Sequence, residues 1–423
     1  MGHQVEEPVA CRGDLESYVT AAEPWSTATT LLLIALILPS CMAIPRQDPS
    51  TGRLRVLFIG TAFWGTSPGR ILMLDPKLDP TLVPIITVWY TDEENARYMR
   101  LYMPKSYKHL IDSKDLVQLA GVDAVMITPK LQSDFSRAVV EGGLGMLYTD
   151  GHRGFGGSTA QKAVWEGTQI EEEILPVRVY TNEFVEGPIK VRVLVPENPL
   201  MESLPWETAP PITRLNRITM KEGATKLADD GAKGFPVLAY WDLGQGRSSI
   251  FGTDLHGHYA SLWVQDWDYW HDFLLNLIYY SCGIEVPDDP EMMHALRDSF
   301  FEFASRSALL RDMMGFIEKF GANPSPISDG LSLIEEEKRA ADELYLEQAY
   351  PDSLEGMGRV LDSIRELELE AVDLKDRALL WIYIIEYLVV TGTSLVAGTV
   401  LWTLLVRRRL YREMGTTRAG AHR

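Results

Sequence analysis

The sequence predicts an α/β protein: a doubly wound, mostly parallel sheet followed by a helical stalk and one transmembrane helix. Three observations carry this. Short continuous apolar runs, such as LRVLFIG at 54–60 and LGMLY at 144–148, alternate with helix-like connections, the pattern of strands covered on both faces. From 291 to 374 the chain is rich in helix formers and lacks strand signals. Residues 387–406 then run about 20 positions without a charge, enough to cross the hydrocarbon layer as a helix.

The elements follow in order. Residues 30–43, TLLLIALILPSCMA, hold a dense apolar core at 31–38 that is short for a span. Small residues follow it at 40–43, as in a secretory signal. Arg12 is alone among Asp14, Glu16 and Glu23, a poor start for such a signal. Residues 1–45 are therefore read as a signal peptide or an N-terminal anchor, with a buried helix as the third reading. RQDPSTG at 46–52 is a linker. Strands are predicted at 54–60, 82–90, 122–128 and 144–148, with an amphipathic connection over 98–113 and a helix at 131–140 whose Phe135 and Val139 share a face. Residues 190–196 alternate as a strand does, and 237–241 and 248–251 flank Gly244-Gln245-Gly246 as a hairpin. An aromatic-rich helix over 262–280 closes the domain near Gly283, and PDDP at 287–290 marks its boundary. The main domain is thus expected at 53–284 and the stalk at 288–376.

Within the stalk, Leu354, Met357, Leu361, Ile364, Ala371 and Leu374 recur at helical steps, one apolar stripe that needs a cover. Packing within the chain is expected, with a protein partner or a homodimer through the stalk as the alternative. The span itself falls at 378–406. Trp381, Tyr383 and Tyr387 stand at one edge and Trp402 near the other, and Arg407, Arg408, Arg409 and Arg412 follow. The positive-inside rule places the basic tail, 407–423, in the cytoplasm and everything before the span outside it. Glu386 falls at the outer interface, and Ser394 with Gly398 forms a weak helix-dimer pair.

The net charge of -19 argues against nucleic acid as a partner. Cys11, Cys41 and Cys282 are too widely spaced for a zinc pattern or a disulfide framework. The segment 139–157, VVEGGLGMLYTDGHRGFGG, runs from a strand into a tight polar turn and then glycines. A strand ending in such a turn is how α/β enzymes present a nucleophile. Here the turn holds Asp150 and His152, with neither Cys nor Ser.

Several motifs fall in an order that resembles the glutamine amidotransferase-like family, a branch of the class I glutamine amidotransferase-like fold, which is flavodoxin-like. They are VEGGLGML at 140–147, FGG at 155–157, EEILPV at 172–177, NPL through LPW at 198–206, GQGR at 244–247 and GTDLHGH at 252–258. Tyr280-Ser281-Cys282-Gly283 ends the helix that closes the family's domain, so the resemblance covers about 230 residues, 54–283. It implies the fold. Class I amidotransferases use an elbow cysteine with a downstream His and Glu, and no cysteine lies within 144–157. Glutamine hydrolysis through a thiolate needs that sulfur, so no glutaminase activity is expected.

Two functions remain open. One is a ligand-binding or protein-interaction module. The other is a hydrolase of a carbohydrate or amide, with Asp150, His152, Asp254 and His258 as catalytic candidates. Asp254 and His258 match residues of the family motif, whereas His256 departs from it. His256 and His258 are two apart, which puts both imidazoles on one face of an extended segment, a spacing suited to a divalent metal. The alternative is that Asp254 caps a turn and the histidines bond to backbone. No motif implies an organic cofactor, and no phosphate loop is present. Gly60 and Gly151 permit close backbone approach to a ligand, and Trp64 is expected to close the core, with stacking on a sugar ring as the lesser reading. Trp263, Trp267 and Trp270 are expected to pack over the sheet, with sugar binding as the lesser reading.

Overall fold

The computed structural model describes the backbone of residues 46–60, 67–85, 90–149, 155, 165–255, 257 and 260–419. The chain passes through β1 (Leu54–Gly60), α1 (Ser67–Leu74), β2 (Leu78–Pro84), α2 (Asp92–Tyr102), α3 (Tyr107–Ser113), β3 (Leu116–Ala120), α4 (Pro129–Gly142) and β4 (Gly145–Thr149). It continues through α5 (Gln169–Glu173), β5 (Val177–Ile189), β6 (Arg192–Val193), α6 (Pro199–Glu202), β7 (Ile212–Met220), β8 (Thr225–Asp229), β9 (Pro236–Leu243) and β10 (Gly246–Phe251). The helices α7 (Ser261–Asp266), α8 (Trp270–Ser281), α9 (Pro290–Lys319), α10 (Ser325–Leu346) and α11 (Tyr350–Ala419) follow.

Among the described residues one sheet has eight strands in the order β2-β1-β3-β4-β10-β9-β8-β6, and β5 pairs with β7 apart from it. The strands from β2 to β10 in that order run parallel, and β9, β8 and β6 add antiparallel pairs at the far side. The apolar runs have the cause expected of them. On β1, Val56 and Phe58 enter the core on one face of the sheet, while Leu57 and Ile59 enter the core on the other. Side chains alternate across a strand, so a strand covered twice must be apolar throughout.

Local chemistry sets the helix starts. Thr91 and Glu94 form a reciprocal capping box at α2. Thr128 caps α4 with Pro129 in the first turn. The 287–290 boundary is the same device: Asp289 accepts from the Met292 amide at 2.9 Å and Pro290 opens α9.

Four predicted elements are corrected. The run at 122–128 is a loop with a 3-10 turn at Ala124–Met126, and the strand is β3, before it. Val122 and Ile127 are buried all the same, so the apolar run reports a tucked loop. The second strand begins earlier than expected, at Leu78, and residues 86–89 of the prediction lie outside the described residues. In 190–196 only Arg192 and Val193 pair, with β8. The 262–280 helix is two, α7 and α8, interrupted between Trp267 and Tyr269.

Beyond the sheet, α9, α10 and α11 pack around a third apolar core that includes Phe300, Leu331, Met357, Ile364 and Ala371. The stripe read from the sequence is therefore covered within the chain. Gln348, with φ 65, turns the chain between α10 and α11. The last helix then runs unbroken for 70 residues, roughly 105 Å at 1.5 Å per residue. Its lower part carries the packed stripe. Its upper part includes a window of mean hydropathy 1.8 with none of it buried in protein, long and apolar enough to cross a membrane.

Candidate functional site

In open α/β sheets, ligands gather beyond the carboxyl ends of the strands. Here β1 ends in Gly60, β4 in Thr149 and β10 in Phe251, so the loops singled out in the sequence leave from one edge. Gly60 has φ +126, and a Cβ there would sit 1.8 Å from the Ala120 carbonyl oxygen. The neighbouring strand alone therefore requires glycine at this position. Asp254 is buried, and its Oδ1 accepts the Ala260 amide at 3.1 Å, closing the loop that leads into α7. Trp64, Asp150, Gly151, His152, His256 and His258 lie outside the described residues.

Aromatic packing sets the base of the elbow. Tyr148 on β4 meets Phe155 edge-on at 4.8 Å and Trp165 at 5.3 Å. Trp165 Nε1 donates to the Val122 carbonyl at 2.7 Å, which ties the buried start of the 122–128 loop to this cluster. Trp263, Trp267 and Trp270 are all buried in the core with Trp206 and Phe273, and Trp267 Nε1 donates to Thr208 Oγ1 at 2.9 Å. None of the three presents a ring to a sugar.

Cys282 follows α8 at the opposite edge. Gly145, which opens β4, packs so closely there that a Cβ would lie 2.5 Å from the Ser281 carbonyl oxygen. The thiol is thus about a strand's length, roughly 15 Å, from Thr149, where β4 ends. Burial pushes its pKa up, which favours the inert thiol. In a full-length chain carrying Cys11→Ser and Cys41→Ser, Cys282 should resist maleimide in the native state and react fully once denaturant is added. Labelling of the native chain within minutes would show an accessible thiol.

A second polar constellation lies where the sheet meets α9 and α10, and sequence reasoning missed it. Tyr279 and Tyr345 both donate to Asp75 Oδ2, at 2.7 and 2.9 Å. Arg297 reaches Asp272 Oδ1 at 2.8 Å and Asn276 Oδ1 at 2.9 Å, and the Lys77 ammonium lies 5.2 Å over the Tyr279 ring. All these groups are buried. Burial lowers the Lys77 pKa and raises that of Tyr279. Burial would also raise the Asp272 carboxyl, but the His294 hydrogen bond and the Arg297 guanidinium outweigh it and leave it below the usual range.

The outer end of this network holds two histidines. His294 Nδ1 lies 2.7 Å from Asp272 Oδ2, and that hydrogen bond raises the His294 pKa. Burial lowers that of His271. Donor atoms of His271, His294 and Asp298 all lie within 4.8 Å of one another, the one such His/Cys/Asp/Glu group among the described residues. The sequence signal for it is faint: His294 and Asp298 are one turn apart on α9, and nothing local points to His271.

The fold defines a class: a doubly wound α/β sheet whose segment after β4 bears no cysteine in its sequence, joined to packed helices and one long apolar helix. Within that class, residues 122–281 match the family model described as "Putative glutamine amidotransferase", in agreement with the resemblance read from the motifs. Among solved structures the chain is similar to Cytoplasmic Protein STM3548 from Salmonella typhimurium, at 18% identity and a TM-score of 0.45, over 55% of this chain and 100% of that one. It is likewise similar to Cytoplasmic Protein STM1381 from Salmonella typhimurium LT2, at 19% identity and a TM-score of 0.44, over 54% of this chain and 99% of that one. No curated protein matches.

Proposed function

We propose that this chain is a single-pass membrane protein whose amidotransferase-like domain lies outside the cytoplasm and serves as a ligand-binding or protein-interaction module, without glutaminase activity. The observation that carries this reading is the place of sulfur. Residues 144–157 contain no cysteine, and Cys282 is buried at the far edge of the sheet. Thiolate attack on an amide needs an accessible sulfur on the elbow. The orientation rests on the apolar helix and on Arg407, Arg408, Arg409 and Arg412, which follow it.

The test has two arms. Full-length protein in detergent should release no more ammonia from glutamine than buffer does. Release above that level, abolished by a thiol reagent, would overturn the first half of the reading. In cells, a C-terminal reporter should be cytoplasmic, and protease added outside should digest residues 53–370. Protection of that region would overturn the second half.

A further inference from the structure

We propose that His271, His294 and Asp298 form a binding site for one divalent transition-metal ion, of which zinc fits the donors best, clamping α9 onto α8. The bland alternative is a salt bridge between His294 and Asp298 one turn apart. His271 Nε2 lies 3.4 Å from Asp272 Oδ2, so the distances fit ion pairs as well, and the case for an ion rests on three donor groups converging within 4.8 Å. His294 Nε2 lies 3.4 Å from Asp298 Oδ2, and His271 Nε2 lies 3.3 Å from Asp298 Oδ1. His271 Nε2 is buried yet makes no hydrogen bond. A tetrahedral zinc with ligands at about 2.0–2.1 Å holds its donor atoms roughly 3.3 Å apart. The separations at Asp298 match that spacing.

The ring orientations agree. Asp272 takes the Nδ1 side of His294 at 2.7 Å, which leaves Nε2, 3.4 Å from Asp298 Oδ2, as the nitrogen that the neutral imidazole can offer to an ion. Arg297 holds the other oxygen of Asp272. A carboxylate that orients a ligating histidine in this way is the usual support of a zinc site. Tyr269 stacks on the His294 ring at 4.3 Å and 28°, and Phe301 lies 5.0 Å from the His271 ring. Both imidazoles are thus braced before an ion arrives.

Access is open on one side. The side chains of His271 and His294 are 13% and 20% exposed, whereas that of Asp298 is 56% exposed. An ion therefore enters from solvent past Asp298 and keeps a position for water. Two imidazoles and one carboxylate suit zinc and its first-row neighbours; magnesium and calcium prefer all-oxygen sets. The site is distinct from the His256 and His258 pair and does not rest on the function proposed above.

The experiment uses the full-length chain in detergent, with a tag free of histidine, stripped by chelator and then loaded with zinc or cobalt. One zinc per chain should survive gel filtration, and bound cobalt should show visible bands of a low-coordinate site. His271→Ala and His294→Ala each remove a ligand and should weaken zinc binding by more than the roughly 10–100-fold that loss of an outer-shell partner costs. Asp298→Asn, at the exposed ligand, keeps the buried network intact and should also weaken it while leaving the circular dichroism spectrum unchanged. His256→Ala and His258→Ala should not. Absence of stoichiometric zinc, zinc retained with unchanged affinity in Asp298→Asn and His271→Ala, or zinc lost only in His258→Ala would each overturn the proposal.

Discussion

Arg297→Met should lower the unfolding free energy by about 3–5 kcal/mol, the usual consequence of removing one partner from a buried ion pair. Arg297 is buried and forks between Asp272 Oδ1 and Asn276 Oδ1. Methionine fills much of the volume but leaves the Asp272 carboxylate inside the protein without its guanidinium. Asn276 loses an acceptor contact at the same time, although its amide still donates to Ser203 Oγ at 3.0 Å. Arg297→Lys should fall between wild type and Met, since an ammonium keeps the charge but cannot span both partners. Combining Arg297→Met with Asp272→Asn should cost less than the two single changes added together, because the second removes the stranded charge. Denaturant unfolding of the full-length chain, followed by tryptophan emission, measures all four. A loss below about 1 kcal/mol for Arg297→Met would show that water or another cation reaches Asp272.

That network also marks the limit of what a sequence discloses. The parallel strands were legible at 54–60 and 144–148 because strands covered on both faces must be apolar throughout. The strand β3 was hidden by Gln118, a fully buried polar residue in the middle of LVQLA. The run that stood out instead, 122–128, is a loop whose Val122, Ala124 and Ile127 enter the same core cluster as Trp165, while Val125 is exposed. The stalk stripe was legible through its helical period, but the turn at Gln348 was not, since its left-handed residue is not a glycine and the one local signal is Pro351 in the first turn of the next helix. Asp254 reads in the sequence both as a catalytic candidate and as a turn-closing carboxylate, and its Oδ1 accepts the Ala260 amide. Asp272, His294 and Arg297 belong to two helices joined by a boundary segment. Their convergence depends on how α9 packs against α8, a tertiary fact with no local periodicity to report it. The place of each chemical group was hardest to read where its partners come from another element.

Gly60→Ala should cost about 3 kcal/mol or more, although it adds one methyl. The new Cβ would lie 1.8 Å from the Ala120 oxygen and 2.7 Å from its carbonyl carbon. Both atoms are backbone of β3, which pairs with β1 on one side and β4 on the other. No side chain can swing away, so the sheet itself must part where Gly60 faces Ala120. The φ of +126 adds strain of about 1–3 kcal/mol for any residue with a Cβ, and overpacking adds a similar amount. Gly358→Ala is the matching control: it lies within α11 and nothing stands within 4 Å of its Cβ. There alanine should stabilise by about 0.5–1 kcal/mol through helix propensity. The same unfolding assay reads both changes, and the signs should be opposite. Equal stability of Gly60→Ala and wild type would mean that β1 and β3 are looser at this edge than the register implies. It would also return Gly60 to the role read from the sequence, a glycine kept for a ligand rather than for its neighbouring strand.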